Sequence, residues 1–298
     1  MKILATFATL VALTVSVFRP AAGEPKLLLH LGLGKRTYLV SEPVFATISL
    51  VNTRPGAINV RRLYLPYGFL KVIVRDSKGT TLPLLYQSTI ERDSTRSARV
   101  EPEDSASVTL DLLPLFAKGA RNVRKLHTRT FLSPGSYTVR ALFETGLGKT
   151  GSLTLSFTVR NPDGPELRAR DLLERAAALE LDQQKDPAQA ALDSVIGNYP
   201  MSAYHVAAFL QKIYLYENDE KPERQKIACG AVLALIDAHP ESEATIPALS
   251  YYMIHSDIIG KTPADIRQML KTILEQHSDT RIARQAYKVL KLYHADGR

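Results

Sequence analysis

The chain has 298 residues, 45% hydrophobic and 23% charged, with one cysteine and a formal net charge of +8. That length accommodates two ordinary domains, and a single cysteine excludes any internal disulfide. The positive balance bears on partners rather than on fold.

Lys2 precedes an uncharged apolar run at residues 3–18, which Arg19-Pro20 closes and Ala21-Ala22-Gly23 follow. This is the pattern of a secretory signal peptide over residues 1–23, cleaved near Gly23. The run is shorter than the ~20 residues that span a bilayer, which argues against a retained anchor. One cysteine and no N-x-S/T acceptor suit a bacterial exported protein, so the expected location is extracytoplasmic, in the periplasm or secreted. No later stretch is long and apolar enough to be a membrane helix.

Residues 24–160 carry period-two patterning. Val44, Ala46, Ile48 and Leu50 share one face, and Ala106, Val108, Leu110 and Leu112 another. Tyr137, Val139, Ala141 and Phe143 alternate with polar neighbours, as do Leu153, Leu155, Phe157 and Val159. Such alternation predicts half-buried antiparallel strands. Further strands are expected at 26–31, 37–40, 59–65, 69–75 and 80–85, separated by turns such as Asp76-Ser77-Lys78-Gly79 and Ser133-Pro134-Gly135. A long loop at 113–130 carries Lys118, Arg121, Arg124, Lys125 and Arg129 with no acidic residue. It is the candidate anion-binding loop, for an anionic envelope polymer or lipid headgroup. A solvated loop, or one docked on an acidic neighbour, would have the same composition.

At Arg160-Asn161-Pro162-Asp163-Gly164-Pro165 the period changes from two to 3.6, and residues 161–165 read as a linker. The charge changes too. Residues 24–162 hold 20 Lys+Arg against 10 Asp+Glu, and residues 163–298 hold 16 against 20. About seven helices follow, with starts expected at Pro165, Asp186-Pro187, Ser202, Pro222, Ser242 and Thr262-Pro263. Opposite charge on the two halves predicts that they touch.

Three segments of the helical half repeat. Asn198-Tyr199-Pro200-Met201-Ser202, Ala238-His239-Pro240-Glu241-Ser242 and Gln276-His277-Ser278-Asp279-Thr280 align Tyr199 with His239 and His277, at offsets of 40 and 38 residues. These three residues are assigned structural, helix-terminal roles. Recurring helix–turn–helix units stack to bury a shared core. The segments resemble the tetratricopeptide-like solenoids of bacterial envelope proteins, although the period is longer and the W-x-x-L-G-x-x-Y signature is missing.

In the β half, Leu132-Ser133-Pro134-Gly135-Ser136-Tyr137-Thr138-Val139 resembles the penultimate strand of bacterial immunoglobulin-like and fibronectin-III-like domains. The resemblance implies that the Tyr137 hydroxyl bonds back to upstream backbone. The residues from Tyr38 to Asn52 resemble the second strand of such domains, and Val100-Glu101-Pro102-Glu103-Asp104 resembles the turn before a middle strand. The antibody-type Cys…Trp…Cys core is absent. The expected fold is therefore an immunoglobulin-like antiparallel β-sandwich over 24–160, followed by a tetratricopeptide-like α-helical repeat (α-solenoid) domain over 166–298.

No catalytic constellation emerges. Thr145-Gly146-Leu147-Gly148-Lys149-Thr150 ends like a phosphate loop, but Phe143 stands where the first glycine belongs and the segment joins two strands. It reads as a hairpin turn, as does Gly32-Leu33-Gly34-Lys35. No His-x-x-x-His pair, cysteine cluster or G-x-S-x-G elbow is present. Cys229 sits in an apolar helical run as a small core residue. Of the helical tyrosines, Tyr204, Tyr214, Tyr216, Tyr251, Tyr252, Tyr287 and Tyr293, most are expected in the core and a minority in a peptide-binding groove. The expectation is an exported, non-enzymatic binding or scaffold protein without cofactors. It would take a protein or peptide partner, touch membranes only peripherally and bind no nucleic acid. A protease-inhibitor-like or adhesin-like sandwich, or an accessory subunit of an envelope enzyme complex, stands as the alternative.

Overall fold

The computed structural model describes residues 27–61, 63, 69–82, 97–113, 132–146, 148–216, 219 and 221–295. The signal segment, the basic loop residues Lys118, Arg121, Arg124, Lys125 and Arg129, and residues 83–85 of the strand expected at 80–85 lie outside the described residues; at 80–82 there is only an isolated bridge from Thr81 to Arg75.

The first region is β. Its strands are β1 (Leu27–Leu33), β2 (Thr37–Leu39), β3 (Phe45–Asn52), β4 (Ile58–Arg61), β5 (Leu70–Asp76), β6 (Ser97–Val100), β7 (Ser105–Asp111), β8 (Gly135–Glu144), β9 (Lys149–Gly151) and β10 (Leu155–Arg160). One sheet runs β1-β3-β7, a second runs β2-β10-β8-β5 with β9 on β8, and β4 pairs with β6. All pairings are antiparallel except that of β10 with β2. Alternation places Ala46, Ile48 and Leu50 of β3, Val74 of β5 and Val139, Ala141 and Phe143 of β8 in one common core, each at most 1% exposed. Burying an isoleucine or leucine this fully contributes roughly 1.5–3 kcal/mol.

Two short strands, β6 and β9, escape the period-two reading. The phosphate-loop-like segment is the β8–β9 turn. Gly146 takes a φ of 89° and Gly148 one of 149°, both costly for a residue with a Cβ, and the Thr145 amide donates to the Gly148 carbonyl at 2.9 Å. The other glycine turn begins later than expected, because Gly32 and Leu33 still belong to β1.

The second region has seven described helices: α1 (Gly164–Leu181), α2 (Lys185–Asn198), α3 (His205–Tyr216), α4 (Pro222–Ala238), α5 (Thr245–His255), α6 (Pro263–Gln276) and α7 (Arg281–Ala295). None of the described helices is long and apolar enough to cross a membrane. Pro165, Pro222 and Pro263 each occupy a first-turn position, where a missing N–H costs nothing. Thr262 and Asp265 form a reciprocal capping box. Asp186 does not cap α2. The helix has already begun at Lys185, with Gln184 before it and no side-chain cap.

Neighbouring helices pack in sequence and share one core. It includes Tyr204, Tyr216, Tyr251 and Tyr252, all buried. Cys229 is buried there as well, and burial pushes its thiol up to about 11. Tyr214 is half-buried, and Tyr287 is 52% exposed.

Candidate functional site

The two regions touch. The segment from Val40 to Phe45 leaves β2, turns with Ser41 at a φ of 69°, and enters β3. Period two turns Phe45 away from Ala46, Ile48 and Leu50, and it is buried with the helical core. The buried Tyr204 hydroxyl donates to the Val40 carbonyl. Burial, the largest influence on that hydroxyl, pushes its pKa upward. Ser41 Oγ donates to Glu174 Oε1 of α1 at 3.2 Å.

A cleft of about 170 Å³ opens beside this contact, between Lys35, Tyr38 and Glu42 of the β region and Ala203, Val206 and Glu243 of the helical region. Its charges are answered within the protein. Glu42, 7% exposed, pairs with Lys35 through one oxygen and accepts the Leu39 amide at 2.8 Å through the other. Burial nevertheless raises its pKa, outweighing the lysine. Glu243 pairs with Arg281 at 3.1 Å. Burial pushes Tyr38 up to about 12, and its hydroxyl accepts the Lys35 amide at 3.2 Å. The cleft is thus a joint between the regions whose charges are paired internally and whose walls include the apolar Pro43, Phe45, Ala203 and Val206.

The helical side of that joint is built from repeated corners. Tyr199, His239 and His277 end α2, α4 and α6 with nearly the same backbone, at φ/ψ of −131/52°, −140/57° and −123/36°. In each, the amide four residues after Val195, Leu235 or Ile273 bonds back to that carbonyl. In each, the third residue onward (Ser202, Ser242, Thr280) donates its amide to the corner carbonyl at 2.9–3.1 Å. After Ser202 and Ser242 the next helix starts at His205 and Thr245, two residues later than a Ser cap predicts, whereas α7 starts at once after Thr280. Ser202 Oγ receives the Tyr204 amide and Ser242 Oγ the Ala244 amide, which fixes a turn before the helix. Carboxylates from preceding elements receive the exposed amides at two corners. Glu166 accepts from Ala203, and Glu241 accepts from Arg281.

Successive corners also touch one another. His277 Nε2 lies 3.3 Å from Asp237 Oδ1, and His239 Nε2 lies 2.7 Å from His205 Nδ1. His205 Nε2 faces the Ile196 carbonyl at 3.1 Å. A carbonyl only accepts, so His205 carries its proton on Nε2, and its Nδ1 receives the Nε2–H of His239. Burial lowers the pKa of both rings, and each His239 proton taken up also faces His205. Both rings are therefore neutral at pH 7.

Among the described candidate residues, Tyr137 lies in β8 and donates its hydroxyl to the Ser133 carbonyl at 2.7 Å, with its ring stacked on Phe157 at 5.5 Å. It is remote in role from the corner residues Tyr199, His239 and His277, which sit on the helical side of the joint. Among the described residues, no group of three or more His, Cys, Asp or Glu is placed to hold a metal ion.

Sequence reasoning missed the exposed face of α7. Arg284, Tyr287, Lys288 and Lys291 are all exposed at helical spacing, and the helix contains no Asp or Glu. Lys291 Nζ stands 4.9 Å from the Tyr287 ring centroid, a cation–π contact. The acidic total of the helical half concealed this helix; a count by helix would have found it.

No protein-family model matches the sequence, and no curated protein matches it. Solved structures give faint likenesses. An alkylpurine DNA glycosylase, AlkC, of Pseudomonas fluorescens bound to abasic-site DNA is 14% identical, with 46% of this chain and 31% of that one covered at a TM-score of 0.25. The sporulation control protein Spo0M of Bacillus subtilis is 13% identical, with 50% and 55% covered at 0.25. CopC of Methylosinus trichosporium OB3b is 14% identical, with 47% and 98% covered at 0.23. The chain spans less than two-thirds of the first two proteins, and at such TM-scores none of the three carries an argument about fold or function.

Proposed function

We propose that this chain is an exported, non-enzymatic binding protein of the bacterial envelope, in which an immunoglobulin-like β-sandwich is fixed to a tetratricopeptide-like α-solenoid that receives a polypeptide partner. The observation that carries the reading is the repeated corner. Three helix pairs (α2–α3, α4–α5 and α6–α7) turn at corner residues of nearly the same φ/ψ and backbone bonding, the third with Asp279 at a φ of 67°, and touch corner to corner. Stacked pairs of this kind build an extended surface rather than an enclosed reaction chamber. Two sheets sharing one core, and the Tyr137–Ser133 hydrogen bond, support the sandwich half of the proposal.

The test is crosslinking of the intact chain in the envelope fraction of its native host, followed by recovery of partners. A reproducible protein partner, lost when the chain is unfolded, is expected. Recovery at background level would overturn the proposal. Export is tested separately by fusing residues 1–30 to a reporter that is active only outside the cytoplasm; an inactive fusion removes the envelope assignment.

A further inference from the structure

The face of α3 that meets the β region continues, uncovered, onto α5 and α7. At offsets of 40 and 38 residues, Val206 of α3 corresponds to Ile246 of α5 and Arg284 of α7. On α3 this line is occupied: Val206 and Ala203 line the joint with Pro43 and Phe45 of the β region. One helical turn apart on α5 come Ile246, Ser250 and Ile254, and Ile254 is 72% exposed. On α7 come Arg284 and Lys288, both exposed, while Tyr287 and Lys291 lie on the adjoining flank that corresponds to Leu249 and Met253 of α5. The corners keep the strips adjacent, since Glu243 before α5 pairs with Arg281 at the start of α7, and α5 packs on α7.

The molecule itself shows what this face accepts. At α3 its occupant is a run of polypeptide from Val40 to Phe45, held by a backbone carbonyl on Tyr204 and by an apolar side chain sunk into the helical core. Beyond α3 the chemistry changes in one respect. The large apolar side chain of Ile254 remains open to solvent, and the same line carries two exposed cations on α7, Arg284 and Lys288. Among the described residues no carboxylate pairs with Arg284, Lys288 or Lys291. An exposed apolar side chain beside like charges favours an occupant that carries both apolar and acidic residues.

We infer that the α5–α7 face binds an acidic polypeptide segment bearing apolar side chains, laid beside the β region as a continuation of the contact that Val40 to Phe45 make on α3. The inference rests on the reading of this chain as a polypeptide-binding protein and names the surface and the partner's chemistry. Arg284 and Lys288 steer the segment, and Ile254 receives an apolar residue of it. Binding therefore weakens as salt rises.

The test uses the whole chain and a fluorescein-labelled twelve-residue peptide of alternating Glu with Leu or Phe, read by polarisation. A peptide with Lys in place of Glu and phosphatidylglycerol vesicles serve as comparison probes. The acidic peptide is expected to bind, with Kd rising tenfold or more in Arg284→Glu with Lys288→Glu and severalfold in Lys288→Glu alone and in Ile254→Ser, while urea unfolding of the two single variants stays unchanged; the single variants carry the comparison because Arg284 also donates to the Asp279 carbonyl at 2.7 Å. The inference is overturned by no binding of the acidic peptide, by equal binding of the lysine peptide or the vesicles, or by variants that bind like the parent. The two proposals fail separately. If the parent recovers a partner by crosslinking and the charge-reversed variant recovers it equally well, the α5–α7 face is wrong and the binding function stands. If the parent recovers none, the binding function itself fails.

Discussion

The hydroxyl of Tyr204 donates to the carbonyl of Val40, joining residues 164 positions apart across the junction of the two regions. Tyr204 is fully buried, so the bond has no water to replace it. Tyr204→Phe keeps the ring and strands the Val40 carbonyl, at a cost of about 1–3 kcal/mol. Urea unfolding measures that loss. Small-angle scattering on the same variant should show greater freedom between the regions; an unchanged profile and unchanged stability would mean that the bond does not hold the joint.

Gly34 lies against the far end of a carboxylate. A Cβ at Gly34 would sit 2.6 Å from Glu243 Oε2. Glu243 is flexible enough to move, at the expense of its pair with Arg281. Gly34→Ala should therefore cost up to about 1 kcal/mol, the scale of one partly exposed ion pair. In a Glu243→Ala background the same change should cost nothing more. A double-mutant cycle reads the coupling, and strict additivity would contradict the contact.

The His205–His239 pair makes stability depend on pH with a definite sign. Both rings titrate below the ordinary histidine value of 6.5 in the folded chain. As pH falls through 6.5 the unfolded chain takes up protons first, so the pair's contribution is present above that value and is lost below it. In His239→Gln, the amide Nε2 still donates to His205 Nδ1 and one depressed group is gone. The parent's advantage over this variant should shrink steadily from pH 8 to pH 5 in urea titrations. A constant gap would show that His239 is not held neutral.

Asp111 works in the opposite direction. Burial pushes its carboxyl up to about 6, although Oδ1 accepts the Val44 and Leu113 amides at 3.3 and 3.0 Å. The folded state binds the proton more tightly than the unfolded one, so stability falls as pH rises from about 4 to 6. Asn supplies the same acceptor without the charge. Asp111→Asn should be more stable than the parent by about 1–2 kcal/mol at pH 7, with the difference gone near pH 4. A destabilised variant at pH 7 would show that the charge is needed.

The residues differ in how openly they announce these arrangements. Strand periodicity located β3, β5, β7, β8 and β10 to within two residues, because one face of each is buried, or in β7 packed half-buried against the core, and the pattern records it. β6 and β9, at four and three residues, are too short to show a period, and β9 ends in glycine. The corner residues Tyr199, His239 and His277 were legible because a helix end, a turn and a Ser or Thr recur locally. The joint was not. Tyr204 and Val40 are ordinary within their own segments, and the likeness of Tyr38 to Asn52 to a single strand hides the break between β2 and β3 at Ser41-Glu42-Pro43. Only the fold brings the buried Glu42 to Lys35, and only the stacking of corners brings His205 to His239.

Phe45 carries one more consequence. It belongs to a strand of one region and to the interior of the other, two residues ahead of Thr47, whose neighbours Ala46 and Ile48 fill the β core. The chain cannot be cut at residues 160–165 into two self-sufficient pieces. The first would display a phenylalanine to water, and the second would lack a wall. Exchange of either half between related proteins would succeed only where the incoming half carries its own side of this socket. The seam that looks simplest in the chain is thus one across which the two halves must be inherited together.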